Sequence, residues 1–532
     1  MASLKALCLV LAAIPALVSG QNSTNEPIVN LGYGQFRGTV NTTVGVTTYF
    51  GLRYAQPPVG ELRFRAPRPI EKSSYYNPSN ITDATQLGPT CIQGTAGFQI
   101  TNRTAAIQPG QEDCLLADVL VPNNPTGGDL PVLVQIHGGG YAAGSAESYP
   151  GYALVNQSQA IIYVTIQYRL NAFGFLSSVE VRENGDANAG LLDQRSALNW
   201  VERNIRYFGG DPNKITIIGG SAGGGSVMNQ MILYGGDDSP PFRAAIAEYP
   251  WWQPYHNDTI LGDQYRQVLT ASNCTDLACL RSLPSDVLNA ASQAAQRVGY
   301  TSQPRYYGYG DFYYGPAVDG DAIRDLPSNE FKQGHFTKVP LLVDRDGYEG
   351  FVFSNMSETT EAAVEGDLQS LFPYAKSSFF TRLFDLYPQN AFNSSFFQRQ
   401  QLFGDFIINC PTYYMATATS DYGVPAWKLN FNAGSQLHGA TVPFLFSTNS
   451  SQINNATLGY IMKDWFLSFT IHLDPNVQSF TNVSKPNWSQ YQQGDDVFNV
   501  MSVNYTQIGV VPDADASAQC DFFHGQSYVV RN

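Results

Sequence analysis

The chain has 532 residues, of which 43% are hydrophobic, and a formal net charge of −14 at pH 7. This hydrophobic content supports a large core, and the sequence has no long low-complexity or like-charge run of the kind found in disordered proteins. The acidic balance argues against nucleic acids and anionic membranes as partners.

The first 20 residues have the pattern of a secretory signal peptide. Lys5 precedes an apolar core over residues 6–17, and small residues at 18–20 mark the expected cleavage point. The apolar core is too short to span a bilayer, so we expect cleavage rather than anchoring. We therefore predict a secreted protein without a transmembrane anchor, whose mature chain of residues 21–532 forms a single domain.

Potential N-glycosylation sites agree with export. Each is an asparagine that begins an Asn-X-Ser/Thr triplet. Isolated triplets usually stay unused, but their density in an exported chain predicts that several carry glycans. They are Asn22, Asn41, Asn80, Asn102, Asn156, Asn257, Asn273, Asn355, Asn393, Asn449, Asn455, Asn482, Asn487 and Asn504.

The cysteines predict disulfides. Cys8 leaves with the signal peptide, and an even number remains in an oxidising compartment, which favours three disulfides among fifteen possible pairings. No Cys-X-X-Cys motif or Cys/His cluster offers a metal site, so we expect no bound metal. The remaining cysteines are Cys91, Cys114, Cys274, Cys279, Cys410 and Cys520.

Two short strand-like runs, at residues 32–39 and 44–51, predict a small antiparallel sheet near the N-terminus. The mixed segment between Cys91 and Cys114 is either a lid over a pocket or a tethered surface loop, and the sequence favours neither. A Tyr- and Gly-rich segment over residues 299–314 is also open to two interpretations, a pocket lining or a packed surface loop.

The centre of the chain alternates strand-like and helical segments. Buried-strand runs cover residues 130–136, 160–168 and 214–218, and a helical pattern covers 191–208. This spacing is that of a βαβ unit, so we predict an α/β fold with a mostly parallel central sheet flanked by helices. Later segments are strands over 243–247, 339–343 and 426–430, the last of the core, with helical stretches over 258–296 and 361–420.

A Gly-X-Ser-X-Gly pentapeptide at residues 219–223 lies between the strand 214–218 and a potentially helical segment, 224–233. A serine at a sharp strand-to-helix turn has strained backbone geometry, and its Oγ projects above the sheet. Glycines on both sides remove side chains that would clash there. The pentapeptide alone occurs by chance, but this context indicates that Ser221 is a nucleophile.

Residues 137–140, His-Gly-Gly-Gly, directly follow the strand 130–136. Three glycines after a strand form at least a turn. They also let backbone N–H groups converge on an oxyanion without obstruction, as in the HGGG loops of esterases. The loop is therefore a candidate oxyanion hole.

Acyl transfer at a serine also needs a base that accepts its proton and an acid that orients the base. In α/β-hydrolases the chain order is nucleophile, acid, base, with the acid and the base each on a loop after a core strand. Ser221, Glu349 and His438 follow this order, and the last two come shortly after strand-like runs. Asp344 and Asp346 are rival acids on the same loop.

With these motifs the chain resembles the type-B carboxylesterase/lipase family, which includes the cholinesterases and secreted fungal carboxylesterases and lipases. The resemblance covers nearly the whole mature chain and implies an α/β-hydrolase fold. Matching segments are YFGLRYAQPPVGELRFRAP at 49–67, EDCL at 112–115, IHGGGY at 136–141, YRLNAFGFL at 168–176, LLDQRSALNWV at 191–201, FGGDP at 208–212, GGSAGG at 219–224, GPAVDG at 315–320, NCP at 409–411, LHG at 437–439, DPN at 474–476 and QCDFF at 519–523.

The resemblance also assigns roles by position. Among the rival acids only Glu349 precedes the family's glycine, and the oxyanion N–H donors fall on Gly139, Gly140 and Ala222. Trp251 and Trp252 follow the strand where the family has its acyl-binding loop, so we expect them to shape that side of the pocket. The family's disulfides map to Cys91–Cys114, Cys274–Cys279 and Cys410–Cys520, and its buried ion pairs to Arg63 with Glu112 and Arg169 with Asp193.

Three departures from the family pattern concern the surroundings of the catalytic groups. Family members commonly have Glu before the nucleophile, where this chain has Gly220, and Gln-Ser-Gly where residues 248–250 are Glu-Tyr-Pro. A carboxylate and a serine that support the catalytic histidine are thus missing, and Glu248 and Tyr249 are the candidates to compensate. The Cys91–Cys114 segment contains no Trp, so the aromatic platform for choline is absent and a cholinesterase is not expected.

We expect a secreted carboxylic-ester hydrolase that acts through an acyl-serine intermediate, without metal or cofactor. Its partners are small-molecule or lipid ester substrates, and the sequence does not distinguish a lipase from a short-chain esterase. One alternative is a dedicated esterase or lactone-forming enzyme of secondary metabolism. A non-catalytic adhesion protein, as some family members are, conflicts with the intact triad.

Overall fold

The computed structural model describes residues 26–99, 110–301, 306–448, 453–492 and 498–532. The expected signal peptide, residues 1–20, lies outside the described residues, as do three of the sequon asparagines, Asn22, Asn102 and Asn449. The other sequon asparagines are all at least partly exposed.

Fourteen strands in the described residues form two sheets, one of three strands and one of eleven. The strands are β1 Ile28–Asn30, β2 Gln35–Arg37, β3 Thr39–Asn41, β4 Val46–Arg53, β5 Ile81–Asp83, β6 Leu116–Pro122, β7 Leu130–Ile136, β8 Ile162–Ile166, β9 Gly210–Gly220, β10 Ala244–Glu248, β11 Leu341–Asp346, β12 Ala426–Phe431, β13 Asn499–Val503 and β14 Ile508–Pro512.

The large sheet has the order β14-β13-β12-β11-β10-β9-β7-β8-β6-β4-β3. Its centre, from β8 to β13, is parallel. The strands at both margins pair antiparallel. Because parallel strands end at the same edge, the loops after β7, β9, β10, β11 and β12 meet along one side of the sheet.

Helices connect these strands and cover both faces of the sheet. They are α1 Tyr152–Ser158, α2 Asn171–Phe175, α3 Val179–Asn184, α4 Ala189–Asn204, α5 Ala222–Ile232, α6 Asp258–Ser272, α7 Leu277–Ser282, α8 Ser285–Thr301, α9 Pro327–Gln333, α10 Glu361–Leu371, α11 Ser377–Leu386, α12 Ser395–Gly404, α13 Cys410–Asp421, α14 Val442–Phe446, α15 Ala456–His472, α16 Ala518–His524 and α17 Ser527–Val530. A π-helical turn, Asp405–Asn409, joins α12 to α13.

Alternate residues of the central strands pack into two separate cores. In β7, Val132 and Val134 belong to one core and Leu133 to the other. The first core includes residues of α4, α5 and α13, and the second includes residues of α1, α14 and α15. Burial on both faces explains why these strands read as continuous apolar runs, and each buried aliphatic side chain contributes about 1.5–3 kcal/mol.

The α/β fold is confirmed, with differences at the two ends of the chain. The small sheet, order β1-β2-β5, is mixed rather than purely antiparallel, because β5 pairs parallel to β2. The second predicted N-terminal strand joins the large sheet as β4. The run 426–430 is not the last core strand, because β13 and β14 extend the sheet beyond it.

The helical stretch predicted over 258–296 is three helices, α6, α7 and α8. Asn273 takes a left-handed conformation, with φ of 56°, and ends α6. Pro284 stands immediately before α8, where a proline stops a preceding helix. Apolar periodicity continues through both interruptions, which is why it did not reveal them.

Covalent and ionic links tie the loops to this scaffold. The six cysteines form the pairs Cys91–Cys114, Cys274–Cys279 and Cys410–Cys520. The Arg63 guanidinium binds the Glu112 carboxylate through two hydrogen bonds of 2.5 and 2.7 Å, and Arg169 binds Asp193 through two of 2.7 Å.

No helix in the described parts of the chain is long and apolar enough to cross a membrane.

Candidate active site

Ser221 occupies the single position between β9 and α5. Its backbone angles, φ of 60° and ψ of −127°, are strained for a residue with a side chain. The Ser221 N–H donates to the Glu248 carbonyl at 3.1 Å, and the Ser221 carbonyl accepts from the N–H groups of Trp251 at 3.0 Å and Gly225 at 2.9 Å. The segment after β10 therefore holds the serine in its strained turn.

Ser221, His438 and Glu349 form a continuous chain of contacts. His438 Nε2 lies 2.8 Å from Ser221 Oγ, and His438 Nδ1 lies 2.6 Å from Glu349 Oε2. Glu349 follows β11 and His438 follows β12, and the two loops pair where the Tyr348 N–H donates to the Gln436 carbonyl at 2.7 Å. Neighbouring parallel strands thus deliver side chains that are far apart in sequence.

The environment of Glu349 favours a fixed carboxylate. The residue is 1% exposed, and its second oxygen, Oε1, accepts the Asp346 N–H at 2.6 Å. With the His438 Nδ1 proton facing Glu349, Nε2 is the nitrogen that can accept the Ser221 hydroxyl proton. This geometry fits a base poised at a nucleophile.

Asp344 and Asp346, the other candidate acids, bind backbone N–H groups of the surrounding loops. Asp346 Oδ2 accepts the N–H groups of Gly439 at 2.7 Å and Ala440 at 3.0 Å, just after His438. Asp344 Oδ1 accepts the Tyr249 N–H at 3.0 Å. Both aspartates hold backbone near His438, while Glu349 contacts its ring.

Buried acids with raised pKa values surround this triad. Burial, together with neighbouring Asp346, raises the pKa of Glu248 to about 8. Burial and the adjacent carboxyl groups raise the pKa values of Asp344 and Asp346 well above their ordinary range. These shifts favour the neutral, protonated forms of the three groups. In the described residues no group of three or more His, Cys, Asp or Glu side chains could hold a metal ion.

The glycine loop after β7 lies beside the serine turn, because β7 and β9 are adjacent and parallel. Gly139 and Gly140 have φ values of 109° and 62°, and a Cβ on Gly140 would overlap the Phe312 ring. Within the described residues, the N–H groups of Gly139, Gly140 and Ala222 donate to no other protein group. These three donors are free to bind an oxyanion.

His137, in the same loop, is fully buried and has no direct contact with the triad. Its ring stacks on Tyr168 with centroids 4.3 Å apart, and Nδ1 lies 2.9 Å from the Gly138 carbonyl. Burial lowers the pKa of His137 to about 4. A neutral ring in this position supports the loop.

Aromatic rings pack around His438. The Phe353 ring lies 5.0 Å from the His438 ring, and Trp251 lies 6.2 Å from it. Trp251 also packs against Phe312, Phe353 and Phe403 at 5.4, 4.6 and 5.9 Å. The structure therefore places Trp251 at the site together with three rings that the sequence did not single out.

Trp252 points elsewhere. Its ring packs against Phe331 at 5.8 Å and Tyr414 at 6.3 Å, and its backbone N–H donates to the Ile407 carbonyl at 3.0 Å. Successive residues of an extended segment face opposite sides, so the structure does not bring both tryptophans to His438.

The missed aromatic residues left only weak signals in the sequence. Phe312 lies in the Tyr- and Gly-rich segment whose role stayed open, and Phe353 follows Glu349 by four residues. Phe98, inside the Cys91–Cys114 segment, packs against Phe312 at 5.5 Å. Residues 100–109 of that segment lie outside the described residues, so both interpretations of it stand.

Known proteins with similar sequences and structures include esterases and lipases. The chain is 32% identical to Lipase 2 of Geotrichum candidum, covering 84% of this chain and 86% of that protein. It is 30% identical to carboxylesterase patB of Aspergillus clavatus, covering 94% and 96%. Its structure is similar to the crystal structure of Aspergillus niger EstA, with a TM-score of 0.83, 29% identity and coverage of 95% and 99%.

The fold, with its serine turn at the carboxyl edge of a mostly parallel sheet, is that of the α/β-hydrolases. The model of the carboxylesterase family matches residues 25–523. The chain belongs to this family and is a carboxylic-ester hydrolase.

Proposed function

We propose that this protein is a secreted serine hydrolase that cleaves carboxylic esters through an acyl-serine intermediate on Ser221. The observation that carries the proposal is the contact chain from Glu349 Oε2 through the His438 ring to Ser221 Oγ, with distances of 2.6 and 2.8 Å. Three segments that follow the parallel strands β9, β11 and β12 of one sheet converge on it, and aromatic rings pack beside it.

In the acylation half-reaction, Ser221 Oγ attacks the ester carbonyl carbon while His438 Nε2 accepts the hydroxyl proton. Glu349 stabilises the resulting imidazolium through Nδ1. As the tetrahedral intermediate collapses, His438 donates the proton to the departing alkoxide, and an alcohol leaves. In deacylation water repeats the sequence, releasing the carboxylic acid and restoring the Ser221 hydroxyl.

The tetrahedral intermediate carries its negative charge on the former carbonyl oxygen. The free N–H groups of Gly139, Gly140 and Ala222 are the proposed donors to this oxygen. Each preorganised donor of this kind contributes about 2.7–4 kcal/mol to lowering the barrier. The Phe312 ring packed on Gly140 supports the loop in the required conformation.

The proposed mechanism is tested by Ser221→Ala. We expect kcat on p-nitrophenyl butyrate to fall by about 10⁴-fold or more, because the nucleophile is lost while the fold is kept. A fluorophosphonate should label the unmodified protein on Ser221 and leave the variant unlabelled. Ser239→Ala, which changes an exposed serine, is the matched control. Turnover in Ser221→Ala close to that of the unmodified protein would refute the mechanism.

Secretion, glycosylation and a single mature domain over residues 21–532 belong to the same proposal. The relatives include secreted lipases of Gibberella zeae, 32% identical, and Botryotinia fuckeliana, 32% identical. The exposure of the described sequon asparagines supports glycan attachment. Recovery from the medium of a chain beginning at residue 21, whose mass falls on glycosidase treatment, tests this part.

A dedicated esterase of secondary metabolism is the second candidate. The departures at Gly220 and Tyr249 favour it, as does the similarity to carboxylesterase patB over 94% of this chain. Hydrolysis of p-nitrophenyl esters from acetate to palmitate and of emulsified triglyceride separates the candidates. Activity that rises with chain length and at the interface indicates a lipase. If none of these esters is hydrolysed while the fluorophosphonate still labels Ser221, the enzyme has a dedicated substrate.

A further inference from the structure

Gly220 and Tyr249 fit each other directly behind the nucleophile. A Cβ added to Gly220 would overlap the Tyr249 hydroxyl and would lie 2.5 Å from the ring carbon Cζ. The space above Gly220, where a side chain at this position would start, is therefore occupied by the tyrosine. The two departures from the family pattern therefore lie side by side in the structure.

The backbone of Tyr249 is held in a conformation that a bulky residue rarely adopts. Its φ is 31°, and such strain costs about 1–3 kcal/mol. The Tyr249 N–H donates to both the carbonyl oxygen of Asp344, at 2.8 Å, and its carboxyl Oδ1, at 3.0 Å. These two hydrogen bonds maintain the strained backbone of Tyr249, and this conformation directs its ring to a position that a relaxed backbone would not give.

The Tyr249 ring lies against the base. Its centroid is 5.0 Å from that of the His438 ring, with an angle of 77° between the planes. The Phe353 ring makes a similar contact at 5.0 Å and 76°. Aromatic pairs with this edge-to-face geometry are favourable and directional, so the two rings restrict the tilt of the imidazole.

The contact depends on the ring rather than on the hydroxyl. The Tyr249 hydroxyl is buried, and it interacts with the Tyr149 side chain rather than with His438. Glu248, the other candidate to compensate for the missing carboxylate, is 3.3 Å from the Thr441 hydroxyl through Oε1 and makes no contact with His438. Only Tyr249 of the two touches the base.

We propose that Tyr249 is a positioning residue: its ring confines His438 in the orientation that reaches Ser221, in place of a side chain at position 220. This inference rests on the proposed function. Because Tyr249 acts through His438, its loss lowers kcat and leaves substrate binding almost unchanged.

The first test replaces the ring. Tyr249→Ser lowers kcat by about 10- to 100-fold, since a small misplacement of a reacting group has an effect of this size. KM stays within about threefold, because substrate binding does not use Tyr249. Tyr249→Phe, which keeps the ring and removes only the hydroxyl, retains kcat within about threefold. Burst titration with a fluorophosphonate gives kcat per competent site, so partial misfolding does not enter the comparison.

The second test uses the coupling with position 220. Gly220→Ala displaces the Tyr249 ring and lowers kcat to a similar extent as Tyr249→Ser. In the Tyr249→Ser background the same Gly220→Ala change has an effect of less than about twofold, because the obstructing ring is gone. If Tyr249→Ser does not fold, the kcat of Gly220→Ala alone tests the proposal. A kcat equal to that of the unmodified protein would contradict it.

Other outcomes overturn the inference as well. A Tyr249→Phe variant as impaired as Tyr249→Ser would mean that the hydroxyl acts, and multiplicative effects in the double variant would mean that the two positions are independent. The Ser221→Ala variant tests the proposed function independently of the role of Tyr249. If that variant is inactive while Tyr249→Ser has unchanged kcat, only the role of Tyr249 is wrong.

Discussion

At the scale of single residues, three acids lie within or just after the strand β11, yet only one of them contacts the histidine ring. Glu349 contacts His438 Nδ1 directly, whereas Asp346 receives the N–H groups of the following loop residues. The difference follows from backbone geometry, because Glu349 stands three residues beyond Asp346 and turns back to accept its N–H. Order along the chain alone did not separate these roles.

This difference predicts unequal effects of removing each carboxyl group. Glu349→Gln should lower kcat/KM by about 10⁴-fold, because an amide cannot stabilise the imidazolium and favours the wrong tautomer. Asp346→Asn is the matched control. Its amide oxygen can still accept the loop N–H groups, and burial already keeps the Asp346 pKa well above its ordinary range. We expect a loss below about tenfold, measured on p-nitrophenyl butyrate. Equal losses in both variants would contradict the assignment.

At the scale of elements, the helices and strands that carry the triad were readable from the sequence. Apolar runs with both faces buried predicted β7, β9, β10, β11 and β12, and the motifs between them predicted the loops. The aromatic shell was not predictable, because Phe312, Phe353 and Phe403 meet through packing between distant segments. Phe and Tyr are frequent in the chain, with 31 of each, so position in the sequence did not mark these rings.

The disulfides act on different lengths of chain and should differ in their effect on stability. Cys410–Cys520 spans 110 residues and joins α13 to α16, while Cys274–Cys279 spans 5. On the chain-entropy model the long loop contributes about 5 kcal/mol and the short one about 2 kcal/mol. We expect Cys410→Ala/Cys520→Ala to lower the urea midpoint more than Cys274→Ala/Cys279→Ala. The reverse order would show that the short link stabilises through local packing.

At the scale of the whole molecule, burial shifts several titrations in two opposite directions. Burial raises carboxyl pKa values and lowers histidine pKa values, because both shifts favour the neutral form. The affected groups include four acids, Asp405 with a pKa raised to about 6, Asp118 to about 7, and Glu248 and Asp311 to about 8. They also include His137 and His256, whose pKa values are lowered to about 4 and about 3.

These shifts predict how the free energy of unfolding depends on pH. A buried acid holds its proton longer in the folded state, so its contribution is complete at low pH and is lost as pH rises to its folded pKa. A buried neutral histidine destabilises the fold only when pH falls below its unfolded pKa of about 6.5. Between about pH 6.5 and 8 three acids with pKa values of about 7 to 8 outweigh Lys485, whose pKa burial lowers to about 8 and which acts in the opposite direction. The free energy of unfolding should therefore fall over this range.

Urea unfolding at high salt, which screens the surface charges, measures this dependence. The Asp311→Asn variant is the control, since it removes one group with a pKa raised to about 8 by burial. Its stability should fall less steeply over the same range. A flat or rising profile in the unmodified protein would show that these carboxyl groups are ionised in the folded state.

The parallel sheet also determines when the enzyme becomes active during its synthesis. Ser221 and His438 are 217 residues apart, and the strand that leads to His438 is the sixth of the seven central parallel strands in chain order. A partly translated chain therefore contains the nucleophile but no base. Under the proposed mechanism, ester cleavage begins only after most of the polypeptide has been made and β12 has joined the sheet.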